Sequence, residues 1–313
     1  MKKLIAFLLV LFALLAPFNL VAFADEEVFT EEQIDYYRNL GLQGTSVNVY
    51  NWGEYISDGS EGSMNVVSEF ERLTGAKVNY TNYESNENMY SKLSGGGVSY
   101  DVIVPSDYMI SRLIDEDMLV EIDWNNVPNI RYIENRYKNL YFDPEQKYTL
   151  CYNIGTTALI YNTELVKEKP TSWKVLWDEQ YKDKILMFNN SRDAFAIAQA
   201  ILGQSLNTID ESEWTAAAAL LAEQKDAVSP VYVMDEVFNL MESGEYAFAA
   251  YYAGDYVLMN ENNDNLAYCF PEEGVNIFYD AFCIPKCVHN KKGAEAFINF
   301  MHEPQVAQSE ERR

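Results

Sequence analysis

Five stretches of this 313-residue chain set an aromatic or polar side chain beside a carboxylate. They are Tyr50-Asn51-Trp52-Gly53-Glu54-Tyr55, Pro105-Ser106-Asp107-Tyr108, Asn189-Asn190-Ser191-Arg192-Asp193, Tyr252-Ala253-Gly254-Asp255-Tyr256 and Phe278-Tyr279-Asp280. An alkylammonium ion wants a carboxylate to accept its N–H donors and an aromatic face to lie against, while methylenes want aromatic walls. Taken together, the five suit an aliphatic amine. Each acid also has a plain structural reading. Asp193 in the first turn of a helix, and Asp255 just after Gly254, would complement a helix dipole. Asp107 is assigned to a helix cap, and Trp52 and Tyr252 would serve as core aromatics. What favours function is that five separate segments share one chemistry.

The elements around these residues alternate. Residues 30–40 read as a short peripheral lead-in helix, with Thr30 and Gln33 as a capping box and Gly41 as the stop. Residues 47–50 predict a strand, and Val66, Val67, Phe70 and Leu73 one face of a helix ended by Gly75. Residues 77–83 predict the next strand. A helix capped by Ser85 then runs to the Gly95–Gly97 run, and 101–104 is a third strand. Further strands are expected at 157–161, 184–188 and 247–252, with helices at 192–202 and 213–224. An α/β order of this kind implies parallel sheets covered on both faces, with ligands held by loops at the carboxyl ends of the strands. The loops after Tyr50, Val104, Phe188, Tyr252 and Ile277 are therefore the places to look, and they contain the five stretches.

Composition narrows the function further. With 48 acidic and 23 basic residues the formal charge is −25, so a polyanion such as nucleic acid would be repelled. Lys2 and Lys3, the apolar run Leu4–Ala16, Pro17 and the triplet Ala22-Phe23-Ala24 read as a secretory signal peptide over residues 1–24. The mature chain then begins near Asp25, and the cleavage site lacks the cysteine that lipid anchoring would use. Among Cys151, Cys269, Cys283 and Cys287, the pair 283/287 is close enough to suggest a disulfide. However, Phe282-Cys283-Ile284 reads as an apolar strand in which a buried thiol is the commoner state. Two histidines, no Cys pair at two-residue spacing and no nucleophile motif speak against a metal site, a cofactor or an enzyme.

At the same residues the sequence resembles the spermidine/putrescine-binding proteins that serve bacterial ABC transporters. The resemblance rests on Tyr50–Tyr55, on Tyr83-Glu84-Ser85-Asn86-Glu87 with Met89–Leu93, on Tyr100–Ser106, on Thr171-Ser172-Trp173 and on Phe297–Phe300, in that order and spacing. It implies a type II periplasmic binding protein fold, with two α/β lobes joined by crossing strands and the polyamine held between them. After a lead-in over residues 25–45, residues 46–152 with 275–313 would form lobe 1, and residues 153–274 lobe 2.

By the same resemblance Trp52 and Tyr55 would wall the alkyl chain, Ser106 and Tyr108 would contact it from lobe 1, and Asp193 would supply a carboxylate from lobe 2. Tyr252 and Phe278 stand where the family usually places Trp. Asp255 matches an acid of putrescine-preferring members, and Asp280 matches the acid that grips an ammonium. Asn190 replaces an Asp common in spermidine-preferring members, and Ile154 a usual Trp. Similar chains continue past Arg313 by a small helical subdomain, which implies a truncated C-terminus. The function implied is an extracytoplasmic polyamine receptor, monomeric, that delivers its ligand to a membrane permease and needs no metal. The alternatives are a receptor of the same fold for another cationic solute or a metal, and a secreted hydrolase using two of the carboxylates as acid and base.

Overall fold

The computed structural model describes residues 28–310. The expected signal peptide lies outside the described residues. Nine strands form one continuous hydrogen-bonded system: β1 (Ser46–Trp52), β2 (Lys77–Tyr83), β3 (Val102–Ile103), β4 (Thr149–Asn162), β5 (Ile185–Phe188), β6 (Val231–Val233), β7 (Phe248–Tyr252), β8 (Leu266–Cys269) and β9 (Ile277–Cys283). Their spatial order is β2-β1-β3-β9-β4-β7-β5-β6, with β8 also paired to β4.

The expectation of parallel sheets holds for half of the strand pairs and is corrected for the rest. The pairs β1–β2, β1–β3, β5–β6 and β5–β7 are parallel, but β9 runs antiparallel to β3 and β4, and β4 antiparallel to β7 and β8. Strand β4 is long enough to take part in two different sets of pairings. Residues 149–156 of β4 pair with β9, whereas residues 157–162 pair with β7 and β8. The register of β4 against β9 shifts between Cys151 and Asn153, an irregularity of the bulge type that kinks a strand and increases its twist.

Apolar residues cover the sheet on both sides. On one face of β1 and β3, Val47, Val49 and Val102 pack with Phe70, Phe297 and Phe300 from two helices, Val66–Thr74 and Lys291–Met301. The first of these starts where the Asn65 side chain accepts from the Ser68 amide, and stops where Gly75 turns left-handed at φ 69°. On the other face Tyr50 and Ile103 pack with Met89, Met109 and Leu113. A separate core joins Leu159, Ile160, Phe188, Phe248, Tyr251 and Met241 around β4, β5 and β7. Burying a side chain such as Phe70 is worth about 1.5–3 kcal/mol.

The helix Glu31–Arg38 does carry the Thr30/Gln33 capping box, but it is not peripheral. Tyr37 is fully buried, and its hydroxyl donates to Glu303 at 2.7 Å, so this helix is fastened to the C-terminal segment. Cys283 is fully buried on β9, and burial pushes its thiol pKa up.

Candidate functional site

A cavity of about 810 Å³ is lined by the midsections of β4 and β9 and by the segments that follow β1, β3, β5, β6 and β7. All ten residues singled out in the sequence lie on its wall: Trp52, Tyr55, Ser106, Tyr108, Asn190, Asp193, Tyr252, Asp255, Phe278 and Asp280. They arrive there by routes that differ in places from the sequence reading. Phe278 and Asp280 stand on β9 itself and not on a loop, and Trp52 is the last residue of β1.

The aromatic side chains are fixed before any ligand arrives. Trp52 donates its indole N–H to the Val104 carbonyl at 3.0 Å and packs on Tyr83, whose hydroxyl donates to the same carbonyl at 2.7 Å. Tyr108 accepts from the Asn86 amide at 3.2 Å and donates to Glu87 at 2.9 Å. Asn86 also donates to the Ser106 hydroxyl at 3.0 Å, so one buried amide positions both Ser106 and Tyr108. Phe278 meets Tyr252 edge-on at 5.3 Å. It can lie there because Gly155 faces it across the β4–β9 pairing: a Cβ at residue 155 would overlap the ring.

The acids are held in different ways. Asp193 is buried in the first turn of the helix Ser191–Ile201, and three donors meet it: Asn190 at 2.9 Å, Tyr252 at 2.9 Å and Asn276 at 3.0 Å. Burial still raises its pKa. Asn190 caps this helix, accepting from the Arg192 amide at 3.1 Å while its own amide is spent on Asp193 and Tyr252. Asp255 opens the helix Asp255–Asn262, which leaves its dipole-complementing role intact alongside its place on the wall.

Asp280 is different in kind. It is 2% exposed, and one carboxylate oxygen accepts the Tyr55 hydroxyl, which in turn accepts from Asn153 at 2.7 Å. The other oxygen, Oδ1, is buried and has no hydrogen-bond partner. Burial pushes the pKa up to about 7; Ser106 and Tyr55 pull it down, and the neighbouring Asp107 and Asp193 add to the rise. An unpartnered buried carboxylate oxygen costs free energy unless a donor reaches it.

One assignment is corrected. Asp107 is not a helix cap: Ser106 holds that position, and Asp107 is the first residue of the helix Asp107–Asp115. Its carboxylate accepts from the Tyr108 amide at 2.6 Å and from the Tyr279 amide at 3.3 Å, and it forms part of the cavity wall. The sequence reading also missed Glu84, Tyr141, Asn153, Asp235 and Asn276 on the wall. Glu84 belongs to the segment Tyr83–Glu87 that carries the family resemblance, whereas Asn276 has no distinguishing signal in the sequence. Seven lining residues are acidic, namely Glu54, Glu84, Asp107, Asp193, Asp235, Asp255 and Asp280, against the single base Arg192. Such a wall favours a multiply charged cation with apolar segments between its charges.

Residues 65–310 match the model of a family described as bacterial extracellular solute-binding protein. A spermidine/putrescine-binding periplasmic protein of Salmonella typhimurium is 34% identical over 260 residues, which is 82% of this chain and 73% of its own. This chain belongs to the bacterial extracellular solute-binding protein family. Its fold is that family's two-lobe fold. A solved spermidine/putrescine ABC transporter substrate-binding protein, PotD from Streptococcus pneumoniae, is 35% identical with a TM-score of 0.66, covering 84% of this chain and 79% of its own. The TpPotD lipoprotein of Treponema pallidum is 27% identical with a TM-score of 0.72, covering 83% of this chain and 81% of its own. The resemblance read from the motifs and these comparisons agree on the family. None of the described helices is long and apolar enough to cross a membrane.

Proposed function

We propose that the protein captures a polyamine of the putrescine or spermidine class outside the cytoplasm and delivers it, as a monomer, to the membrane permease of an ABC transporter. The observation that carries this reading is Asp280, a buried carboxylate with an unpartnered oxygen on the wall of an aromatic, acid-rich cavity. A protonated amine supplies the missing donor and the opposite charge, and Trp52, Tyr55, Tyr252 and Phe278 supply walls for its methylenes. Tyr108 and Ser106 on one side, and Asn190, Asp193 and Asp255 on the other, complete the contacts, with the lobes dividing at 152/153 and 274/275. The relatives named for spermidine and putrescine support the same ligand class. Export by residues 1–24 as a signal peptide belongs to the same proposal.

A thermal-shift panel on the mature protein tests it. A ligand at about a hundred times its dissociation constant adds roughly 2.7 kcal/mol, a rise of a few degrees for a chain of this size. Putrescine and spermidine are expected to raise the melting temperature, and Ca²⁺ and neutral sugars to leave it unchanged. A rise with Ca²⁺ alone would favour a metal receptor, and a folded sample unmoved by any polyamine would refute the proposal.

A further inference from the structure

Arg192 is out of place for a cavity that takes cations. It sits at the second position of the helix Ser191–Ile201, against the sign of the helix dipole. Its charge also opposes that of any ammonium ligand. Yet it is firmly held: the guanidinium lies 5.0 Å over the ring of Tyr108 and 6.0 Å over that of Trp214, and it donates to Asn207 at 3.2 Å. Tyr108 follows β3 while Trp214 and Asn207 follow β5, so Arg192 reaches from one half of the molecule to the other. Asp107 and Asp193 stand on the same cavity wall; burial raises the pKa of both, and Arg192's charge adds a lowering smaller than that of the hydrogen bonds they accept.

We propose that Arg192 is a built-in counter-cation that sets how many ammonium charges the cavity accepts, discriminating against ligands of higher charge. The inference rests on the polyamine reading above and deepens it. Arg192, held over the Tyr108 ring, is the one base on a wall that also carries Asp107 and Asp193, so it offsets part of the wall's negative charge without a ligand. Asp280, whose Oδ1 has no partner, is then the acid most in need of an incoming ammonium. Because Coulomb repulsion scales with ligand charge, Arg192 penalises a triamine more than a diamine. Removing it takes one positive charge from the wall, which a further ammonium, carried only by the longer ligand, can replace.

The test is calorimetric titration of the mature protein and of Arg192→Gln, Arg192→Met and Arg192→Lys with putrescine and spermidine, circular dichroism confirming the fold of each. The spermidine-to-putrescine affinity ratio is expected to rise roughly fivefold or more in the Gln and Met variants, and less so at high ionic strength. Lys keeps the charge but loses the planar stack, so it is expected to weaken both ligands while holding the ratio within about twofold. The Met variant fits an apolar side chain between the same two rings and serves if the Gln variant does not fold. A ratio unchanged or lowered in the folded neutral variants would overturn the proposal, as would a Lys variant that shifts as far as Gln. If the unsubstituted protein binds neither amine, the polyamine reading itself fails and the proposal falls with it.

Discussion

Asp280 combines three properties that rarely coincide in a side chain kept only for structure: near-complete burial, a pKa pushed up to about 7, and an oxygen without a donor. Replacing it by Asn removes a charge-assisted bond to a desolvated ammonium, at a cost of about 2–5 kcal/mol in binding. Asp210→Asn makes the matched control, since Asp210 caps the exposed start of the helix Glu211–Val228 and Asn caps about as well. Titration is expected to separate the two variants by at least tenfold; equal affinities would contradict the assignment. A pH dependence follows with a definite sign. Because the folded pKa lies above that of the unfolded chain, the ligand-free protein holds a proton that the unfolded chain has lost, and stability falls as pH rises from about 4 to about 7. A cationic ligand selects the ionised form, so affinity rises with pH over the upper part of that window and levels off above it. Asp280→Asn should remove its share of both trends, leaving what the raised pKa values of Asp107 and Asp193 contribute. Asn190 is a subtler case, because its amide donates to Asp193. Asn190→Asp keeps the helix cap but sets two carboxylates about one hydrogen bond apart. It is expected to destabilise the ligand-free protein above neutral pH and to favour spermidine over putrescine. A change in the affinity ratio within twofold, less than about half a kcal/mol, would show that position 190 does not set selectivity.

Among the elements, the crossing strands matter most to the site, since β4 and β9 carry Asn153, Gly155, Phe278 and Asp280 together. Gly155→Ala would drive the Phe278 ring from its place, and overpacking of this kind costs about 1–3 kcal/mol of stability. Weakened polyamine binding in a protein that still unfolds cooperatively in urea is the expected result; unchanged affinity would mean that Phe278 is not a wall of the site. These strands also show where sequence reading stopped. Short helices such as Val66–Thr74 and Asn86–Ser94 were legible because Gly75 marks the end of the first and Ser85 the start of the second. The stretch Phe278–Asp280 passed for a loop because the half-lined cavity breaks the alternation of a strand. Strand β6, Val231–Val233, went unread because it is three residues long, although its β-branched and aromatic run after Pro230 was a usable signal. At Asp107 spacing alone does not fix the helix start, because β3 is only two residues long and the turn through Pro105 and Ser106 follows it directly. The aromatic and acidic partners were legible as types; the amide groups that orient them, Asn86, Asn153 and Asn276, were not, since an Asn carries no mark of what it will bond.

For the molecule as a whole, two separately packed halves meet at a cavity whose wall holds seven acids and one base, in a chain of formal charge −25. The like charges that burden this wall in the empty protein are relieved by a ligand of opposite sign, so binding and stability are coupled. That coupling reduces to a single measurement, the calorimetric titration of the mature protein with putrescine and spermidine at pH 8, where Asp280 is ionised. The account predicts saturable one-site binding of at least one of the two, unaffected by millimolar Ca²⁺. A folded protein that gives no saturable heat with either amine at millimolar concentration would contradict it.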